Sequence, residues 1–291
     1  MRIDLHTHSR VSDGTESPAE LVKAARTAGI DVLALTDHDT AAGWPEAVEA
    51  AREHGVELVR GMEISTDLDG RGVHLLAYLP DPTYPPLVEE LDRVLAGRTG
   101  RLPTMLARLQ GLGIDVTLED VLAQSGDAAA SGRPHVADAL VAKGVVPSRD
   151  EAFERFLSAG RPAYVDRYAA PLEPMIRTVA AAGGVTVIAH PWGRSGHERP
   201  DEQDLGPLVA AGLSGLEVDH QDHTPDVRER LRAIARSLDL VVTGSSDHHG
   251  TGKSGHELGV NTTAPEEYAR LLERAAAASA ASGRRTPEVV R

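Results

Sequence analysis

The chain of 291 residues contains no cysteine, which excludes disulfide bonds, thiolate metal sites and cysteine nucleophiles. It also has no apolar run near the roughly 20 residues that a membrane-spanning helix needs. Lysine and arginine number 30 against 44 aspartate and glutamate residues. The resulting formal net charge of -14 argues against binding duplex DNA through a broad basic surface. The first residues, MRIDLHTHS, lack the basic and then hydrophobic pattern of a secretion signal, so we expect a cytoplasmic protein without membrane contact.

The composition, with 41% hydrophobic and 25% charged residues, is that of one large α/β domain or one domain with an insertion. Short runs rich in β-branched residues or leucine predict strands at Arg2–Leu5, Asp31–Leu35, Glu57–Gly61, Val73–Leu79, Val185–Ala189, Gly215–Val218, Leu240–Gly244 and Leu258–Asn261. Amphipathic segments predict helices at Pro18–Ala28, Trp44–His54, Glu173–Ala182, Leu205–Ala211, Pro225–Leu238 and Pro265–Ser282. This alternation predicts βαβ units and a mainly parallel sheet, open or closed into a barrel.

One long stretch interrupts the alternation. From Pro85 to Arg167 the sequence shows only helix and loop signals, punctuated by glycine and proline. We interpret residues 85–167 as a helical subdomain that is inserted into the α/β body and caps the active site. The body then consists of residues 1–84 and 168–291. The C-terminal residues Gly283–Arg291 are expected to form a frayed tail.

Histidine and carboxylate residues cluster at the ends of the predicted strands. They are His6, His8, Asp13, Asp37, His38, Asp39, Glu63, His190, Asp247, His248 and His249, with His74 inside the fourth strand. The carboxyl ends of parallel strands lie on one face of a sheet or barrel, and active sites of such folds are found there. We therefore expect these residues to meet in one pocket.

These residue types indicate a metal site. His6 and His8 are two positions apart, so an extended segment points both side chains to the same side, where they can chelate one ion. Imidazole and carboxylate without sulfur suit zinc, manganese or iron. The candidate ligands outnumber those that one metal requires, and Glu63 can bridge two ions. Clustered metals activate a bridging hydroxide and bind a phosphoryl oxygen in phosphoester hydrolysis.

The motifs around these residues resemble those of the PHP (polymerase and histidinol phosphatase) superfamily of metal-dependent phosphoesterases. In chain order they are HTH at 6–8, TDHD at 36–39, GMEIS at 61–65, VHLLAY at 73–78, AHP at 189–191 and GSSDHH at 244–249. The resemblance implies a distorted seven-stranded (β/α) barrel. It also implies three divalent metal ions, which are manganese, iron or zinc, with magnesium allowed at one position.

The resemblance further implies how the ligands are shared among the ions. The three groups are His6, His8, Glu63 and Asp247; then Glu63, His74 and His190, with Glu63 as the bridge; and finally Asp13, His38 and His249. The family's last motif has one residue between its aspartate and its histidine, which favours His249 over His248.

Within the superfamily the chain is most similar to phosphatases of 3',5'-nucleoside bisphosphates and AMP, because of its length, its SDGT loop and its helical insertion. That group places basic residues of the insertion over the substrate, and the matching segments here are GRTGRLP at 97–103 and GRPH at 132–135. The substrate contacts implied by the resemblance are Asp39, Arg98, Arg101, Arg133, His135 and Lys253, with His256 as the alternative to Lys253. Asp39 and Arg133 are the expected catalytic residues among them. The planar fork of an arginine binds phosphate oxygens bidentately.

Other polar residues near strand ends have a simpler interpretation. His197, His220 and His223 fall in loops, where a surface position or a contact behind the ligands is favoured over ligation. For Glu217 and Asp219, a hydrogen bond to a metal-binding histidine and ordinary capping are equally open.

The sequence therefore predicts a phosphatase that hydrolyses a phosphomonoester of a small nucleotide by a metal-bridged hydroxide. A 3',5'-bisphosphate such as pAp is the first substrate and AMP the second, and 5'-3' trimming of short RNA is an extension of the same site. One alternative is histidinol-phosphate phosphatase, which the basic insertion motif disfavours because that substrate carries a cationic amine. The alternative of another class is a non-catalytic metal-binding module. The oligomeric state is left open.

Overall fold

The structure, a computed structural model, describes residues 1–193 and 202–291. The strands in these residues are β1 (Ile3–Thr7), β2 (Val32–Leu35), β3 (Glu57–Leu68), β4 (Arg71–Tyr78), β5 (Ala170–Pro171), β6 (Val185–Ile188), β7 (Leu213–Asp219) and β8 (Val241–Gly244). The helices are α1 (Pro18–Thr27), α2 (Trp44–His54), α3 (Pro85–Gly100), α4 (Leu102–Gly111), α5 (Leu118–Ser125), α6 (Arg133–Ala142), α7 (Arg149–Ala152), α8 (Leu172–Ala181), α9 (Glu202–Ala211), α10 (Pro225–Ser237) and α11 (Pro265–Ser282). A π-helical turn, Phe153–Leu157, follows α7 directly.

The strands form one curled sheet in the order β1-β2-β3-β4-β6-β7-β8, and the short β5 pairs with β3. Neighbouring strands are parallel except at β4, which runs antiparallel to β3 and β6. The segment after β8 returns to β1, where the main-chain N–H of His8 donates to the carbonyl of His248 at 2.8 Å. The buried Asp4 carboxylate accepts from the N–H groups of Ser246 and Gly259 at 3.0 and 2.9 Å. These contacts close the sheet, and the predicted distorted seven-stranded barrel is confirmed.

Two hydrophobic clusters hold the barrel together. One collects side chains from six strands, including Ala34 and Tyr78, against α11. The other packs strand side chains such as Leu33 and Met62 against the surrounding helices. Leu33 and Ala34 belong to different clusters because successive side chains of a strand point to opposite faces.

Residues 85–167, all of which are described, contain α3 to α7 and no strand. We call this stretch the insertion. A third hydrophobic cluster lies entirely within it, with Met105, Leu109 and Val136 fully buried. The N–H of Ala129 donates to the carbonyl of Val11 at 2.8 Å, which ties the insertion to the loop after β1. Its status as a separate domain stays a prediction.

Two expectations about the C-terminal part are wrong. Leu258–Asn261 forms turns instead of a strand, and the N–H of Gly259 is bound by a carboxylate of β1. The tail is not frayed: Val290 and Leu58 exchange main-chain hydrogen bonds of 2.9 and 3.0 Å, and Val290 is buried. The tail is thus attached to β3 by one antiparallel bridge.

The reversed β4 explains how His74 reaches the other candidate ligands. His74 lies in the first half of β4 and pairs with Ser65 in the second half of β3. Because β4 runs opposite to its neighbours, its first half lies at the end of the barrel where the other strands finish.

No helix of the described residues is long and apolar enough to cross a membrane.

Candidate active site

All the predicted metal ligands meet at one end of the barrel, although the sequence spreads them from position 6 to 249. Each has a ligand atom within 4 Å of another ligand. All except His74 are buried, and the side chain of His74 is 12% exposed. The geometry therefore agrees with the expectation of one pocket.

The first group of ligands surrounds one oxygen of Glu63. The Nε2 atoms of His6 and His8 lie 3.0 Å apart, and 3.4 and 3.3 Å from Oε2 of Glu63. Oδ1 of Asp247 lies 3.6 and 3.5 Å from the same two nitrogens. Four ligand atoms thus face one small space.

The second group surrounds the other oxygen of Glu63. Oε1 lies 2.5 Å from Nδ1 of His74 and 3.2 Å from Nε2 of His190. The two carboxylate oxygens of Glu63 therefore face different ligands, which is the geometry of a bridging carboxylate.

The third group surrounds Asp13. Its Oδ1 lies 3.3 Å from Nε2 of His249, and its Oδ2 lies 3.5 Å from Nε2 of His38. Nδ1 of His8 lies 3.7 Å from Asp13, so the His8 ring stands between the first and third groups.

The two neighbouring histidines of the last motif point in different directions. His248 contacts the carbonyl of His256 and the carboxylate of Glu16, each at 2.9 Å. His249 contacts the carbonyl of Asp247 through Nδ1 at 2.8 Å, which leaves its Nε2 for the third group. The geometry favours His249 as the ligand.

Glu217, in β7, lies fully buried behind the ligands. Its carboxylate contacts Nδ1 of His6 at 3.0 Å and accepts from the main-chain N–H of His190 at 2.8 Å. With Nδ1 donating to Glu217, Nε2 of His6 faces the first group, where a metal ion can replace its proton. Of the two interpretations left open for Glu217, the hydrogen bond to a ligand histidine is the one observed.

His220 supports the first group from the other side. Its Nδ1 accepts from the N–H of Asp222 at 3.1 Å, so its Nε2 carries the proton and donates to Oδ2 of Asp247 at 3.2 Å. His220 therefore orients the predicted ligand Asp247 from behind, as its loop position suggested. His223 donates to a main-chain carbonyl of β7, and His197 lies outside the described residues.

The charges of the ligands depend on one another. Burial opposes a positive charge on His6, but Glu217 and Glu63 outweigh burial and raise the pKa of His6 well above its usual range. Burial also disfavours the Glu63 carboxylate, yet His74 and His38 hold the pKa of Glu63 well below its usual range. The site thus keeps its carboxylate ionised and attracts positive charge.

Strained backbone marks the same region. Asp39, His190 and Asp247 have φ angles of 58°, 29° and 53°. Positive φ is unfavourable for residues with a Cβ and persists where the surroundings enforce it, often at functional sites. The barrel therefore holds these residues in conformations that they would not adopt alone.

The ligand set fits divalent cations. Nε2 of His6 faces Oε2 of Glu63 at 3.4 Å. The raised pKa of His6 shows that this position favours positive charge, and a divalent cation can take the place of the proton there. Nitrogen and oxygen ligands without sulfur suit manganese, iron and zinc.

The insertion reaches the edge of this site through Arg98, which is 7% exposed. Its Nε donates to Oδ2 of Asp39 at 2.6 Å, and its Nη2 donates to Oγ of Ser65 at 2.8 Å. The N–H of Ser65 donates to the other oxygen of Asp39 at 2.6 Å. Two residues expected at the substrate, Arg98 and Asp39, therefore bind each other.

Arg101 lies buried among other arginines. Its Nη1 donates to the carbonyl of Val165 at 3.5 Å, and its buried Nε has no hydrogen-bond partner among the described residues. Burial lowers the pKa of Arg101 to about 8, and neighbouring guanidiniums act in the same direction. They belong to Arg133, Arg167 and Arg98. Burying a charged N–H group such as Nε of Arg101 without a partner costs free energy, and a bound anion would offset this cost. No sequence signal indicated a role for Arg167.

His135 stands between two openings. One is a narrow cleft of about 10 Å³, room for about one water molecule, whose lining includes Asp13, His38 and Arg98. The other is a groove of about 660 Å³ between the insertion and the barrel loops. Its volume is typical of small-ligand sites.

Lys253 and His256 lie in the loop after the last motif. Nζ of Lys253 donates to Oδ2 of Asp247 at 2.5 Å. His256 is buried and contacts the carbonyl of Ser246 through Nδ1 at 2.7 Å. Lys253 thus binds a predicted ligand directly, and His256 binds the main chain beside it.

Comparison with known proteins decides the family. The model of the PHP domain matches residues 4–107. A 5'-3' exoribonuclease of Haemophilus influenzae is 37% identical over 248 residues, which cover 85% of this chain and 90% of that protein. The chain belongs to the PHP family. A 3',5'-nucleoside bisphosphate phosphatase of Chromobacterium violaceum is 33% identical to this PHP chain over 257 residues, which cover 88% and 90% of the two proteins.

Solved structures agree with the PHP fold. A Bifidobacterium adolescentis protein attributed to the metal-dependent phosphoesterases is 40% identical, with a TM-score of 0.89 over 94% of this chain and 96% of that one. A Chromobacterium violaceum protein, described as an amidohydrolase with bound sulfate and no metal, is 32% identical, with a TM-score of 0.84 over 93% and 97%. The predicted membership of the metal-dependent PHP phosphoesterases is confirmed.

Proposed function

We propose that this PHP protein removes a phosphoryl group from a small nucleotide that carries a second phosphate. A 3',5'-nucleoside bisphosphate is the preferred substrate and AMP the poorer one. The observation that carries the proposal is the buried Arg101, which lies among like charges and next to Arg98. Arg98 in turn binds Asp39, the residue after the predicted ligand His38. A binding region for anions therefore adjoins one for cations.

The proposal assigns three divalent cations, manganese, iron or zinc, to the three ligand groups. When bound, they supply Lewis-acid activation of water and positive charge opposite the phosphoryl oxygens. Glu63 holds the first two groups together, one oxygen in each. Glu217 keeps His6 in the tautomer whose Nε2 can bind a cation.

The insertion binds the phosphate that is not cleaved. Arginine forks match phosphate oxygens in pairs, and the charge of Arg133 acts on Arg101 within the same group of guanidiniums. A dianion between them offsets the repulsion that the folded protein already carries. The positive charge of Arg133 also acts at longer range on the negative charge that develops on the phosphoryl group being cleaved.

The relatives support a nucleotide substrate. One is a 3',5'-nucleoside bisphosphate phosphatase and another a 5'-3' exoribonuclease. The groove beside His135 has about 660 Å³, which offers room for the remainder of a short RNA chain. We therefore include 5'-3' trimming of short RNA as a second use of the same site.

The alternatives fit less well. Histidinol phosphate carries an ammonium group that the arginines around Arg101 would repel. A non-catalytic module does not need three ligand groups, whereas the candidate ligands of all three groups come together here.

Phosphate release from a matched panel tests the proposal. The panel is pAp, AMP, 3'-AMP and histidinol phosphate, each with metal-loaded protein and with a chelator. We expect chelator-sensitive turnover that is fastest with pAp. Preference for histidinol phosphate, or no turnover of any compound by protein with bound metal, would contradict the proposed substrate.

A further inference from the structure

One arginine of the insertion contacts both the insertion helices and the metal loop. Arg149 begins α7, and its Nε and Nη2 donate to the two oxygens of Asp138 in α6 at 2.5 and 2.6 Å. Its Nη1 donates to the main-chain carbonyl of Asp13 at 2.9 Å. A single guanidinium therefore joins two helices to the loop that carries a predicted ligand of the third group.

The surroundings hold this guanidinium in place. The side chains of Arg149 and Asp138 are 12% and 22% exposed. Paired hydrogen bonds between arginine and a carboxylate combine strength with a fixed geometry. Gly252, in the loop after the last metal motif, packs so closely that a Cβ there would overlap the Arg149 guanidinium.

Helix α6 also carries residues of the proposed substrate site. Arg133 and His135 lie in its first turn. Asp138 follows His135 by three positions, which places both on one face of the helix. A contact that holds Asp138 therefore also fixes the distance between His135 and the loop of Asp13.

We propose that Arg149 and Asp138 are positioning residues that set the distance between the first turn of α6 and the Asp13 loop. Neither touches the reacting atoms. The part that concerns the substrate rests on the proposed function. The contact with Asp13 concerns the cation site alone.

Two variants separate these effects. Asp138→Asn weakens the link to α6 and keeps Arg149 on Asp13. Its KM for pAp should rise about tenfold, while its metal affinity and its KM for p-nitrophenyl phosphate, which has one phosphate, should stay within about twofold.

Arg149→Met breaks both links and should also weaken the most weakly held ion by about 10- to 100-fold, measured by competition with a chromogenic chelator. Arg149→Lys keeps the positive charge but loses the paired hydrogen bonds of the guanidinium. Its KM for pAp and its metal affinity should lie between those of the parent and those of Arg149→Met.

Arg155→Met is the matched control, since Arg155 lies in the adjoining π-helical turn and pairs with Glu151 on the surface. Circular dichroism verifies that each variant is folded. Unchanged pAp KM and metal affinity in both test variants, or equal losses with both substrates in Asp138→Asn, would overturn the inference. If the parent protein does not cleave pAp, the proposed function fails. The metal affinity of Arg149→Met then decides the inference alone.

Discussion

The barrel end and the insertion bury their charges in opposite ways. At the barrel end, carboxylates face ring nitrogens, as Glu63 faces His74 and His190. In the insertion, Arg101 lies among other guanidiniums, and its buried Nε has no partner in the described part of the chain. The first arrangement suits cations, and the second suits an anion.

Under the proposed function, the substrate supplies negative charge to both of these regions. A molecule with a single phosphate satisfies the cation side and leaves the arginines as they are. A molecule with two phosphates satisfies both regions at once. The contact between Arg98 and Asp39 keeps the two regions next to each other, so one small nucleotide can span them.

The largest effect that the comparison predicts comes from the barrel end. Glu63→Gln removes the charge that faces two ligand groups and should lower phosphate release by at least about 10³-fold. Metal analysis of the purified variant should find fewer ions per chain. Glu53→Gln, on the exposed side of α2, is the control. A Glu63→Gln protein with full metal content and activity within tenfold of the parent would contradict the assignment of Glu63 as the bridge between two ions.

A smaller effect is expected one step behind the ligands. Glu217→Gln loses the acceptor that fixes the tautomer of His6, so the affinity for the ions should fall by about 10- to 100-fold. Titration against a chromogenic chelator measures this loss, with Glu229→Gln on the exposed face of α10 as the control. Equal affinities would mean that Glu217 only stabilises the fold.

The insertion should respond to anions without any metal. In metal-free protein below pH 8, Arg101 is charged, and saturating sulfate should raise the unfolding midpoint by about 5 °C. Because the pKa of Arg101 is lowered to about 8, the unfolded chain binds more protons there than the folded one above this pH. The cost of the buried charge is therefore full below pH 8 and declines as the pH rises.

Arg101→Gln tests the same point by substitution. Without sulfate the variant should unfold at a higher temperature than the parent below pH 8, and with sulfate it should gain little. Arg26→Gln, exposed on α1, is the control. A sulfate response that persists in Arg101→Gln would assign the anion to other residues.

The sequence was sufficient to predict that the candidate ligands lie together, because their positions at strand ends follow from local pattern. A histidine or carboxylate that follows a predicted strand lies at the same end of the sheet as the residues that follow the other parallel strands. His6 and Asp247 are examples. The roles that sequence could not decide depend on pairing between distant segments. Glu217 binds His6 across 211 positions, and the residues near Glu217 in the chain could not decide between this contact and ordinary capping.

The same limit explains the errors in the fold. Val290 in the tail pairs with Leu58 in β3. This contact joins distant parts of the chain, so the local hydrophobic pattern does not predict it. Residues Leu258–Asn261 have an apolar pattern like a strand, yet a buried carboxylate on β1 binds the N–H of Gly259. The contact of Arg149 with Asp13 likewise joins segments that the sequence separates by 136 positions.

The most direct test of the central claim is the ratio of kcat/KM for pAp to that for AMP, measured in the parent and in Arg101→Gln. The account predicts a ratio of at least about 10 in the parent, since one added arginine–phosphate contact is worth about 1.4 kcal/mol or more. In Arg101→Gln the ratio should fall toward about 1, while turnover of AMP changes little. A parent ratio near 1, or a ratio that Arg101→Gln leaves unchanged, would contradict it.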